Sequence, residues 1–173
     1  MTEDHSRLRD YAVALYGRAG VSAACLLLQE RTGLDVNVLL FAAWMGAARG
    51  HALAPAEAGQ AEALVRDWHR EVVRPLRAVR RRLKTGPAPA PSEATARLRE
   101  KLQGLEISAE LVELDELGRF GEALAPAAPD GAGRDKAAAG MIAVVAAAAG
   151  RALETEEKDA VDIIARAAGS APA

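Results

Sequence analysis

The sequence predicts an all-α protein, a compact helical bundle, on three observations. Apolar residues recur at spacings of three and four along most of the chain. No sustained alternation of apolar and polar residues marks a strand, and no Asn-Gly or Asp-Gly pair joins two apolar runs as a hairpin would. Half of the 173 residues are apolar, enough to bury one sizeable core. Five of the six aromatic side chains (Tyr11, Tyr16, Phe41, Trp44 and Trp68) lie before residue 69, which places the bulky core material in the first half.

Helices are expected at 6–16, 21–31, 36–49, 55–84, 93–117, 135–150 and 154–168. The stop and start between the second and third are written in "RTGLDVN". Gly33 can take the left-handed conformation that ends a helix, and Asp35 can cap the next one by accepting from the amide of Asn37 or Val38. Leu34 and Leu39 are spaced as a hydrophobic staple across that cap. From Val38 to Ala48 no side chain is charged or strongly polar, so this helix should be buried on every side. Gly46 and the alanines beside it would let neighbouring helices approach closely.

The fourth helix carries two stripes. Arg66, Arg70, Arg74, Arg77, Arg81 and Lys84 follow at spacings of three and four and share one narrow face, while Val65, Trp68, Val72, Leu76, Val79 and Leu83 point the other way. Both patterns cross Pro75 without a change of phase, which predicts a kinked but continuing basic amphipathic helix, the proline costing about 3 kcal/mol. The stretch "TGPAPAPS", 85–92, reads as an extended, semi-rigid linker that ends on a helix-capping Ser92, and the helix after it can fold back antiparallel.

Residues 1–117 are read as the helical main body. The Gly-, Pro- and Ala-rich 118–135 is read as a linker, and 136–173 as an alanine-rich helical pair, an appendage either docked on the body or partly mobile. The longest weakly polar run, 137–149, is shorter than the ~20 residues a membrane-spanning helix needs. The single cysteine, Cys25, has no partner for an internal disulfide, and the opening "MTEDHSRLRD" lacks an export pattern. A cytoplasmic location is the expectation.

With "YAVALYGRAGVSAACLLLQERTGLDVNVLLFAAWMGA", Trp68 and "VVRPLRAVRRRLK", the sequence resembles a family of uncharacterised bacterial proteins, a domain of unknown function, over roughly residues 10–117. The resemblance implies that the "GLDVN-x-LLF" corner and the basic helix belong to one unit. It brings no catalytic residues with it.

Two surfaces remain as candidates for function. Residues 66–84 carry eight basic and two acidic side chains in a chain of net charge −2, so the remainder sums to −8. Six cations on one face call for anionic company. Internal acceptors are available at Glu106, Glu110 and Glu113; the external ones are an acidic partner protein or, less well supported, an anionic membrane surface or nucleic-acid phosphate. No aromatic side chain is interleaved with the stripe to stack on bases.

The second surface surrounds Gln29, Asp35 and Asn37, whose amides capping does not require; a pocket expected there would make the protein a small-molecule binder or an enzyme instead, with His51 about 20 Å of helix rise from Asn37. Cys25 reads as a core residue. His5, His51 and His69 lack the spacing of metal ligands, and no phosphate loop, dinucleotide fingerprint or Gly-x-Ser-x-Gly elbow occurs. No metal, cofactor or catalytic residue is therefore expected, and the reading leans away from an enzyme.

Overall fold

The computed structural model describes residues 5–125 and 133–169. Its helices are α1 (His5–Tyr16), α2 (Val21–Thr32), α3 (Val36–Arg49), α4 (Pro55–Trp68), a π-helical turn (His69–Val73), α5 (Arg74–Arg82), α6 (Glu93–Leu124), α7 (Gly133–Ala149) and α8 (Thr155–Ala168). The chain is all-α, with no strand among the described residues. It divides into two units: Met1–Leu64 together with Leu114–Ala173, and Val65–Glu113. The division falls inside α4 and inside α6.

The first unit is organised on α3. Every residue of α3 from Val38 to Gly46 is buried, as the lack of polar side chains there requires, and Asn37 ahead of them is buried as well. A Cβ at Gly46 would lie 2.1 Å from the amide nitrogen of Ala137 and 2.3 Å from its Cα, so α3 and α7 meet backbone to backbone. Gly140 of α7 is a milder case: a Cβ there would sit 3.1 Å from the amide nitrogen of Leu53 and 3.5 Å from the carbonyl of Ala42, tight but not a clash. Small residues on α7 are thus what lets it lie on α3. Met141, Val144 and Val145 then supply the buried volume that alanine lacks.

On another side of α3, Phe41 packs against Trp44 and against Phe120 of α6, with ring centroids 6.2 and 6.0 Å apart in tilted arrangements. Gly121 makes space for them: a Cβ there would sit 2.8 Å from Phe41, Trp44 and Met45. Around this core α8 packs on α2 and α7. Ion pairs from Arg31 to Glu154 and Glu156 join α2 to the start of α8, and Arg9 of α1 reaches Asp115 of α6 at 2.5 Å.

The chain does not divide at 118–135 as expected. Residues 118–124 continue α6, because Phe120 and Gly121 are held against α3, and the helical pair α7 and α8 is docked, packing on α2 and α3 within the first unit. Of the rest of the expected linker, 126–132 lie outside the described residues, as do 1–4 and 170–173, and 133–135 already belong to α7. Among the described residues no single helix is long and apolar enough to cross a membrane.

The second unit is an antiparallel pair of helical segments joined by 83–92. The expected extended linker is instead folded into turns, with the amide of Ala90 donating to the carbonyl of Pro87. Ser92 caps α6 as expected: its Oγ accepts from the amide of Thr95 at 3.3 Å, while Thr95 Oγ1 accepts from the amide of Ser92 at 2.8 Å.

Candidate functional site

At the "GLDVN" corner of the first unit, Gly33 sits at φ 72° and its amide donates to the carbonyl of Gln29 at 2.8 Å, closing α2. Asp35 adopts an extended backbone and its Oδ1 accepts from the amide of Asn37 at 2.9 Å, opening α3. Leu34 and Leu39, the expected staple, are both buried. The Gln29 and Asp35 side chains are half-buried and Asn37 is buried. His51, beyond the far end of α3, is bonded through Nε2 to Glu57 at 2.9 Å. Glu57 is raised by burial, but the bonds from the Ala54 amide and His51 bring it below the ordinary carboxylate value.

Two buried ionic groups of the first unit escaped the sequence reading. Arg49 donates from Nε and Nη2 to the carbonyl of Ala125, at 2.9 and 2.5 Å, and its guanidinium lies 5.0 Å from the ring centre of Trp44. A cation thus meets the last carbonyls of α6, where the helix dipole favours one. Glu157 is fully buried, grips Arg151 with both oxygens at 2.8 and 2.9 Å, and accepts from the amide of Glu154. The Arg151 bond, joined by the Glu154 amide, holds its carboxyl down at about 2. Cys25 is buried, and desolvation pushes its thiol up to about 12.

In the second unit the basic helix continues through Pro75, but its phase changes. The amide of Arg74 donates to the carbonyl of His69, five residues back, so His69–Val73 forms one π turn. A proline ring crowds the carbonyl four residues before it, and a wider turn just ahead of Pro75 opens the ladder where room is needed. The extra residue rotates everything after it. Val73 at the end of the turn is fully buried, Leu76, Arg77 and Arg80 after it are half-buried, and Val79, expected inside, is exposed; Trp68, which precedes the turn and was also expected inside, is exposed as well.

The single cation stripe is therefore corrected into two sets. Arg77 donates to Glu106 at 2.8 Å and Glu110 at 2.5 Å, while Arg80 donates to Glu106 at 2.5 Å. Burial raises Glu106, yet the bonds from Arg80 and Arg77 outweigh it and its carboxyl ends below the ordinary value; for Glu110 burial prevails over Arg77 and the shift is upward. Glu113, the third expected acceptor, is bonded to His69 Nδ1 at 3.0 Å. The Trp68 indole N–H donates to the carbonyl of Ala109 at 3.0 Å.

Arg66, Arg70, Arg74, Arg81 and Lys84 are exposed, and Arg70 pairs with Asp67 and Glu71. Arg74, Arg81, Lys84 and also Arg82, absent from the expected set, have no carboxylate in ion-pairing reach among the described residues. The signal that would have found this split is Pro75 itself, read as a demand for a wide turn.

A family model described as "Protein of unknown function (DUF2390)" matches residues 7–117. The chain belongs to this family. The DUF2390 region includes the capped α2–α3 corner, the whole of α4 and α5, and α6 through Leu117; α7 and α8 follow it. No curated protein and no solved structure matches the chain.

Proposed function

We propose that this DUF2390 protein is a cytoplasmic adaptor or regulatory protein that holds an acidic partner protein on the cations of α5. The observation that carries the reading is the unequal treatment of neighbouring arginines. Carboxylates of α6 bind Arg77 and Arg80, while Arg74, Arg81, Arg82 and Lys84 stay exposed without such partners among the described residues. Like charges spread over roughly three helical turns lie at separations on the order of the ~8 Å screening length and repel, and an acidic surface relieves that repulsion.

Cross-linking pulldown of the full chain from its native cells tests this. Acidic proteins should be recovered, and the triple variant Arg74→Glu, Arg81→Glu, Lys84→Glu should retain about a tenth or less of them. Substitution of both arginines by lysine should keep most. Charge reversal that leaves every partner bound would sink the reading.

A further inference from the structure

Resting on that reading, we infer that the second unit is two helices of a three-helix bundle, and that the third is an acidic amphipathic helix supplied by the partner. The register of the antiparallel pair carries this. Half-buried Leu76 and Leu102 and buried Ala109 mark the line along which α5 and α6 pack. Residues one position later, Arg77 and Glu110, emerge on one flank and are bonded to each other. Residues three positions later, Val79, Leu105 and Val112, turn about −60° from that line and emerge on the opposite flank.

That opposite flank is apolar and open. Leu98, Leu105 and Val112 recur every seven residues along α6, and all three are exposed, Leu105 by 57%. Val79 is 50% exposed, and Trp68, tied by its indole N–H to the Ala109 carbonyl, is 41% exposed. A seven-residue repeat left exposed beside a buried one is the seam of a bundle that lacks a member. From Leu98 to Val112 the groove runs about 21 Å, four helical turns.

The rim chooses the occupant. Three residues beyond Val79 and Leu98 stand Arg82 and Lys101, both exposed and without a carboxylate partner among the described residues. Glu71, three residues beyond Trp68, is taken by Arg70. A helix with leucine-like residues at its inner positions and carboxylates beside them matches both features, whereas a second copy of the chain would set the same cations against each other. A groove between two rods also fits a third rod better than a flat lipid surface.

Titration of the full chain with a synthetic three-heptad helix, leucine at the inner positions and glutamate beside them, tests this through the fluorescence of Trp68. The expected result is a blue shift that disappears in Trp68→Phe. Binding should fall by about tenfold in Leu105→Ser, Leu105→Glu and the Arg82→Glu, Lys101→Glu pair. The lysine counterpart of the peptide should not bind. Equal binding of both peptides, or none, overturns the inference. So does a wild-type dimer that Leu105→Glu makes monomeric, or a Trp68 shift seen only with phosphatidylglycerol vesicles. Should the acidic partner of the pulldown survive Leu105→Glu and be lost on reversal of Arg74 and Arg81, the adaptor reading stands and the groove falls.

Discussion

The α3–α7 crossing of the first unit and the α5–α6 pair of the second solve the same problem, holding two helices together, by opposite means. At the crossing, Gly46 and Ala137 bring the backbones into contact, and the surrounding side chains from Asn37 to Gly46 are all buried. In the pair, Glu106 and Glu110 clamp Arg77 and Arg80 on one flank while Trp68, Val79, Leu98, Leu105 and Val112 stay exposed on the other. Close packing is intolerant of volume but complete; ionic clamping tolerates volume and leaves apolar surface free. An element finished by its own contacts serves as scaffold. One with an open seam is suited to bind.

The largest expected effect comes from adding one methyl group to each region. Gly46→Ala should cost about 4 kcal/mol or more, since neither backbone can yield at 2.1 Å, and lower the melting temperature by roughly 10 °C. Gly104→Ala in α6, where an added Cβ meets nothing within 4 Å, should stabilise its helix by about 0.5–1 kcal/mol. Thermal unfolding followed by circular dichroism measures both. Equal melting temperatures for the two variants would erase the contrast.

Next in size is Glu106→Gln. Glu106 is buried and serves two guanidinium groups, so its loss should cost about 2–3 kcal/mol, seen as faster hydrogen exchange of α5 amides. Glu93→Gln, which removes an exposed pair with Arg97, should change stability by less than about 0.5 kcal/mol. If α5 exchanges no faster in Glu106→Gln, the ionic clamp is not what holds the second unit.

The smallest effect is a change of slope with pH. Glu157 titrates at about 2 when folded, below its ordinary 4.5, so the stability it contributes is fully present above 4.5 and is lost as pH falls towards 2. Wild type and Glu157→Gln should therefore differ in melting temperature at pH 7 and converge between about 4.5 and 2. In the second unit the two carboxyls pull in opposite directions, Glu106 below and Glu110 above the ordinary value, so their acid slopes partly cancel. A constant gap across that range would remove Glu157 as the source.

What was legible in the sequence is what local rules govern. Gly33 and Asp35 punctuate the chain through their own backbone and side-chain chemistry, Ser92 caps α6 for the same reason, and the unbroken apolar run of α3 admits only burial. The internal acceptors Glu106 and Glu110 could be named because a short connection forces the following helix back antiparallel. The rotation at the π turn was not legible in the stripes, because both keep three- and four-residue spacing whether or not a residue is inserted between them; Pro75 alone marked the place where the ladder must open.

The sequence by itself therefore determined where most helices start, the caps at Gly33, Asp35 and Ser92 and the central place of α3, since each depends on neighbours within a few residues. Only the tertiary structure decided that α7 lies on α3 at the cost of every side chain at Gly46, that Arg49 and Glu157 are buried ions, and which cations of α5 remain exposed. Those outcomes hang on contacts between residues tens of positions apart. No spacing along one helix encodes them.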